Sequence, residues 1–369
     1  MRVALAALVI VIVAALLAAT VWLVPKLVGS GPALPTTPTK PVADPQRRAP
    51  GQAPSGPTVA SPRLSAHDAT VSRVTTLAWG DGPAHVGRRR DPESAHEGPM
   101  AIALGRDGSA WVLDQVNGRV LHRDAKGGYR PPFKVRETAQ DLRADANGGV
   151  AVIDRLGAHT LQRFDADGHV VEERPLTSYG VAEPGGVTGL FDDASGSLYL
   201  EESLVGEGRR VVHAVGSDAL LPGRPSRGGT QLLAARITSR EAGAFEVRGI
   251  ERDGTERFTT KLSVGRAIMS IVLLDSDRQG NVYAGVLHAM SAAPQQAPDR
   301  SDERLELYRL SPDGVLLART SIAHAPSALE SFRELAVGDD GTVTWMHPLP
   351  DDGGGALGET GMAIDRIAF

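Results

Sequence analysis

The sequence predicts an all-β fold, a β-propeller of about six blades, and three observations predict it. First, a two-turn unit of short alternating strands recurs along the chain from about residue 71. Second, its first turns carry Asp-Gly, Asn-Gly, Ser-Gly, Gly-Gly or Gln-Gly pairs, whose glycine tolerates the positive φ of tight hairpins. Third, the unit repeats at blade length: first-turn glycines at 108, 148, 196, 229, 280 and 341 are separated by 40, 48, 33, 51 and 61 residues. A second turn follows each of the first five units, at Gly127, Gly168, Gly216, Gly254 and Gly314. A β-sandwich has no need of one motif six times, solenoid repeats are shorter, and no stretch after Val71 reads as a long helix.

Residues 1–24 precede this region as an apolar run from Val3 to Val24, broken by Thr20 and flanked by Arg2 and Lys26. About 20 helical residues cross a hydrocarbon core, so the run is expected to be an uncleaved transmembrane signal anchor. A cleaved signal peptide would have a shorter core and a small-x-small site, which Leu17-Ala18-Ala19 matches poorly. Residues 25–70 form a linker with ten prolines between Pro25 and Pro62 and no hydrophobic periodicity. Such a segment cannot bury enough apolar surface to offset its ordering entropy, and it is expected to be disordered. The propeller then occupies residues 71–369 and is placed on the extracytoplasmic, periplasmic side.

The first full unit runs from Gly98-Pro-Met-Ala-Ile-Ala through Asp107-Gly-Ser-Ala-Trp-Val-Leu-Asp114 to Asn117-Gly-Arg-Val120, and a second follows over Asp141 to Gly168. These units resemble blades of the NHL-repeat family. The resemblance is good over Met100 to Asp124, fair over Asp141 to Gly168 and loose afterwards, with the fourth unit departing most. It implies a six-bladed propeller that binds proteins, peptides or nucleic acid, although some relatives are enzymes. The last unit supplies three strands, Leu335–Val337, Thr342–His347 and Met362–Ala368. Val71–Trp79 is a lone strand ahead of the first unit. Pairing it with Met362–Phe369 would complete the last blade and protect two sheet edges.

Composition narrows the function. The net charge of -5 and pI near 6.1 speak against general nucleic-acid binding, which needs a concentrated positive field. With no cysteine, there is no disulfide framework, thiolate metal site or cysteine nucleophile. Gly-x-Ser-x-Gly, Walker, His-Glu-x-x-His and post-strand GxGxxG motifs are absent.

The longer connections, Ser203–Arg209, Ser239–Gly243, His288–Glu303 and His347–Thr360, should emerge on one face together with Gly80–Glu97. That face is the expected binding surface for a protein, peptide or envelope glycan, with no cofactor. Its exposed candidates are Arg88, Arg89, Arg90, Arg209, Arg210, His288, His347, Asp351 and Asp352. The alternative is a metal-dependent hydrolase or lyase. Gluconolactonase-like propellers hold a metal near the channel with carboxylate and amide side chains, and by analogy Glu97, Gln140, Asp141, Glu183 and Glu330 lie near the starts of innermost strands. Oxygen ligands of that kind suit a divalent ion such as Ca²⁺ or Mg²⁺. A streptogramin-lyase-like site needs a paired His and Glu, and the ten histidines show no such pattern in sequence.

Overall fold

The structure is a computed structural model. It describes residues 70–90, 96–204, 209–217, 219–229, 231–289, 303–324, 329–350 and 359–369. The expected anchor of residues 1–24 and nearly all of the expected linker lie outside them. Among the described residues no helix is long and apolar enough to cross a membrane.

The strands in chain order begin with β1 (Thr70–Trp79), β2 (His85–Val86) and β3 (His96–Glu97). Blade one is β4 (Ala101–Leu104), β5 (Ala110–Asp114), β6 (Arg119–Arg123) and β7 (Phe133–Lys134). Blade two is β8 (Asp141–Ala144), β9 (Val150–Asp154), β10 (Thr160–Phe164) and β11 (Val170–Pro175). Blade three is β12 (Val187–Asp192), β13 (Leu198–Leu204), β14 (Arg209–Ala214) and β15 (Leu220–Leu221). Blade four is β16 (Arg224–Pro225), β17 (Gln231–Ser239), β18 (Ala244–Glu251) and β19 (Glu256–Ser263). Blade five is β20 (Ile268–Ser276), β21 (Val282–His288), β22 (Arg304–Leu310) and β23 (Leu316–Ala323). After β24 (Leu329–Glu330), blade six is built from β25 (Leu335–Val337), β26 (Val343–Pro350) and β27 (Glu359–Ala368). Each blade is an antiparallel meander, and neighbouring first strands meet around the axis except between blades four and five, where the second strand β17 lies against β20. The fold is a six-bladed β-propeller.

The ring closes as the sequence predicts. β1 pairs antiparallel with β27, from Thr70 opposite Ala368 to Ala78 opposite Gly361, and becomes the fourth strand of blade six. Arg73 donates to the carboxylate of Asp365 across this seam. β2 adds a short parallel strand outside β1, and β24 pairs with β3 in a separate two-stranded ribbon.

All eleven predicted turn glycines have φ between 79° and 94°. An aspartate repeatedly fixes the same turn. Asp145 Oδ1 accepts from the N–H groups of Asn147 and Gly149, and Asp165 does so from Asp167 and His169.

Apolar clusters form between consecutive blades. Trp111, Leu113, Leu142 and Phe164 join blade one to two, Ile153, Leu161, Leu190 and Leu200 join two to three, and Leu233, Phe245, Leu274 and Tyr308 join four to five. Leu273, Leu305, Leu335 and Trp345 join five to six, and Leu77, Ile102, Met346 and Ile364 join six to one. Among the described residues no comparable cluster spans blades three and four, where Phe191, Tyr199 and Val212 form a small group within blade three. Arg224 crosses that junction instead. It donates to Glu201 through Nε and Nη2 at 2.9 and 2.8 Å, and its guanidinium lies 4.1 Å from the centroid of Phe191.

Candidate functional site: the channel and the cleft beside it

Innermost strands direct alternate side chains at the axis, and here those side chains are charged. Arg143 on β8 donates to Asp192 on β12 at 2.6 Å and to Asp275 on β20 at 3.2 Å. Asp275 also faces Arg227 at 3.3 Å, and Arg227 continues to Asp339 at 3.2 Å and to the Val337 carbonyl at 2.6 Å. Nearer the loop-bearing end, Arg333 grips both oxygens of Asp141 at 2.8 and 2.6 Å. Asp141, Arg143, Arg227 and Asp275 are all buried. Burial alone would raise the Asp275 carboxyl, but Arg227 and Arg143 outweigh it and hold it down to about 2. The channel is therefore crossed by interlocked ion pairs, and blade one joins them at the edge, where Arg106 lies 3.9 Å from Asp339.

That network decides the fate of the expected metal set. The oxygens of Asp141 are engaged by Arg333 and by the N–H groups of Leu142 and Leu190. The Gln140 amide oxygen accepts from Arg155 N at 2.9 Å. Glu97 pairs with Arg89 at 3.0 Å, and Glu330 sits opposite it in the β24–β3 ribbon. Glu183 is exposed ahead of β12. Among the described residues no three His, Asp or Glu side chains form a cation cradle, so these five do not fit a divalent ion.

The candidates on the loop-bearing face divide. Arg210, at the start of β14, is exposed and reaches Glu201 at 3.3 Å. Arg88 lies 4.8 Å from the Trp79 ring centroid and lines a separate hollow with Trp79 and Asn117. Arg89 is held by Glu97 and by Glu137 at 3.6 Å, and Arg90 is exposed. The side chain of Arg209 and the whole of Asp351 and Asp352 lie outside the described residues. His288 and His347 are not the exposed loop residues expected. Both belong to strands, because the pairing of β21 with β22 and of β26 with β27 extends through them. His288 is buried 3.5 Å from Glu306, and His347 is 2.8 Å from Asp365 and stacks on Trp345 at 3.9 Å.

Folding also creates pairings that sequence spacing hides. His213 is buried 2.8 Å from Glu202, and His324 lies 3.3 Å from Glu303 and 3.5 Å from Glu334. Burial disfavours the charged imidazolium of His324, but Glu334 and Glu303 more than offset this and raise its pKa.

A cavity of about 580 Å³ opens on the loop-bearing face between blades three, four and five. Arg210, Arg224, Arg236 and Arg240 line it against one carboxylate, Glu201, over an apolar floor that includes Ile237 and Ile271. A second hollow of about 220 Å³ shares Arg210, Arg224, Ser270, Ile271 and Leu274 with it and reaches Phe332 and Arg333 at the channel mouth. Glu201 is buried, which alone would raise its pKa; Arg224 and Arg210 reverse this and hold it at about 2. The carboxylate is thus ionised at neutral pH, and the lining remains net positive in a chain that is net negative. Sequence reasoning placed Arg210 here and missed Arg224, Arg236 and Arg240.

No family model and no curated protein matches the chain. Among solved structures it is similar to hydrazine synthase of Kuenenia stuttgartiensis, at 12% identity over 70% of this chain and 78% of that one, with a TM-score of 0.46. It is similar to virginiamycin B lyase of Staphylococcus aureus at 8% identity over 82% and 100%, with a TM-score of 0.38. A third likeness is to a putative gluconolactonase, at 13% identity over 81% and 91%, with a TM-score of 0.41.

Proposed function

We propose that this chain is a non-catalytic binding propeller, held on the extracytoplasmic side of a membrane by residues 1–24 and set off from it by residues 25–70. Its loop-bearing face engages a protein, peptide or envelope glycan. The observation that carries this reading is the arginine-lined cavity of about 580 Å³ beside the channel mouth, within the size range of ordinary ligand sites. The engagement of Asp141, Gln140 and Glu97 by arginines and backbone groups favours binding over a metal-dependent hydrolase or lyase in the channel.

The test is a photocrosslinking amino acid placed at Ser270 in the cleft and, separately, at Val171 on the outer strand β11, in native membranes. Discrete adducts from Ser270 and none from Val171 are expected. Equal adducts from both, or none from Ser270, would sink the proposal. Deleting residues 1–24 should move the protein from the alkali-resistant membrane fraction to the soluble one.

A further inference from the structure

Blade four lacks most of its innermost strand. Its first strand, β16, has two residues, whereas β12 has six and β20 has nine. Its second strand, β17, has nine residues. β16 covers β17 only at Leu232 and Leu233, opposite Pro225 and Arg224. β18 covers the other edge of β17 along almost its whole length, from Gln231 to Ser239. From Ala234 to Ser239, therefore, the inner edge of β17 has no strand partner among the described residues. Strand geometry turns the N–H and C=O groups of alternate residues toward that edge. The cavity of about 580 Å³ lies along it: Leu233, Ala234, Ala235, Arg236 and Ile237 are consecutive lining residues.

The gap has a chemical sign. Arg236 binds Glu246 through Nε at 2.7 Å, Arg210 binds Glu201 through Nη1, and Arg240 donates Nη1 to the Ile268 carbonyl at 2.9 Å and to the Met269 carbonyl. Each is anchored through one nitrogen, and among the described residues the remaining N–H groups of these three meet no acceptor. Guanidinium forks of this kind match carboxylates. Ile237, Met269 and Ile271 supply apolar surface between them.

We infer that an extended acidic peptide from a partner protein pairs with β17 and completes the innermost strand of blade four, its carboxylates meeting Arg210, Arg236 and Arg240. This rests on the binding reading above and gives it a ligand class. Main-chain pairing supplies affinity, and side chains at alternate positions supply specificity. Charge separates this occupant from the chain's own N-terminal segment. Residues 25–69 carry Lys26, Lys40, Arg47, Arg48 and Arg63 against Asp44 and Asp68, so they are basic where the cleft calls for acid. A bound strand also covers an edge that would otherwise invite uncontrolled pairing.

The test uses the full chain and a fluorescein-labelled, end-capped peptide of about ten residues alternating glutamate and valine, a length suited to strand addition. Saturable binding that weakens with salt is expected. The peptide with glutamine for every glutamate should bind at least ~10-fold more weakly, as should the acidic peptide with alternate amides N-methylated. In hydrogen exchange, the peptide should slow amides within Ala234–Ser239 and leave β11 unchanged. Arg210→Gln with Arg236→Gln should reduce affinity by ~10-fold or more, with an unchanged melting temperature showing that the ring still forms.

Exchange in β17 that does not change on binding would overturn the inference. So would equal affinity for the glutamine peptide, for the N-methylated peptide, or for oligogalacturonate, an acidic glycan with no amides to pair. If deleting residues 25–69, or replacing Asp351 and Asp352 by asparagine, raises affinity by ~10-fold, the chain's own segment is the occupant and the partner peptide is refuted. Adducts from Ser270 without any peptide binding would remove this inference and leave the binding reading intact.

Discussion

Replacing Glu201 by glutamine should lower stability and raise affinity for an acidic ligand in the same molecule. Glu201 is buried and accepts from Arg224 at two positions, from Arg210 and from Thr188 Oγ1 at 2.6 Å. Its carboxyl is held at about 2, against an ordinary value of 4.5. That depression corresponds to about 3 kcal/mol of folding free energy. The figure agrees with the ~3–5 kcal/mol expected when one partner of a buried pair is removed, since glutamine keeps the shape and one acceptor. For a domain of this size the melting temperature should fall by roughly 6 °C.

Because the folded pKa lies below the unfolded one, the contribution is complete above about pH 4.5 and disappears as pH falls toward 2. Urea denaturation of wild type and Glu201→Gln from pH 7 to pH 2.5 checks this. The stability gap should be constant from pH 7 to about 5 and should narrow below pH 4.5. At pH 7 the glutamate–valine peptide should bind the variant more tightly, because the one carboxylate that lines this cavity among the described residues has gone. A gap below ~1 kcal/mol, or one that does not change with pH, would refute the assignment of Glu201 as an ionised clamp for Arg224.

Asp275→Ala leaves Arg143 and Arg227 each with one remaining carboxylate, and should cost ~3–5 kcal/mol by chemical denaturation; adding Arg143→Met should recover part of that loss in a double-mutant cycle. Gly148→Ala meets no atom within 4 Å but is strained at φ 81°, so ~1–2 kcal/mol is expected, whereas Gly168→Ala also drives its Cβ to 2.5 Å from Phe133 and should cost more; equal losses would show that packing at Gly168 is irrelevant. Deleting Thr70–Trp79 strips β27 of a partner and should yield oligomers or aggregates by light scattering; a monomer with the wild-type melting temperature would contradict the seam.

The architecture was legible because it is written locally. A hairpin turn needs its positive-φ residue wherever it falls, so eleven glycines marked the blades, and the alternation of Val71–Trp79 was enough to find the closing strand. The channel was illegible for the opposite reason. Arg143 stands in Asp141-Leu-Arg-Ala144 like any strand residue, and its partners are Asp192 and Asp275, 49 and 132 positions away. The one available signal was its register: in an innermost strand, a charge between Leu142 and Ala144 must face the axis. His288 and His347 misled because strands β21 and β26 run farther than their turn signals implied. The cleft did leave a trace, since Gly223-Arg-Pro-Ser-Arg-Gly-Gly229 is too rich in breakers to carry a full inner strand.

The seam between β1 and β27 ties the molecule to the order in which it is made. Thr70 waits for Ala368, and Arg73 for Asp365, its partner 292 positions later. Blades one to five can form as their residues emerge, but blade six stays unfinished until the final strand has left the ribosome. Over that interval β1 lacks β27, the strand that covers one of its edges in the finished ring, and such an unpaired edge is open to wrong partners. A nonsense or frameshift lesion near the C-terminus would therefore act as a lesion of the first strand as well. Loss of the last ten residues should leave the ring unclosed, however complete the other blades are.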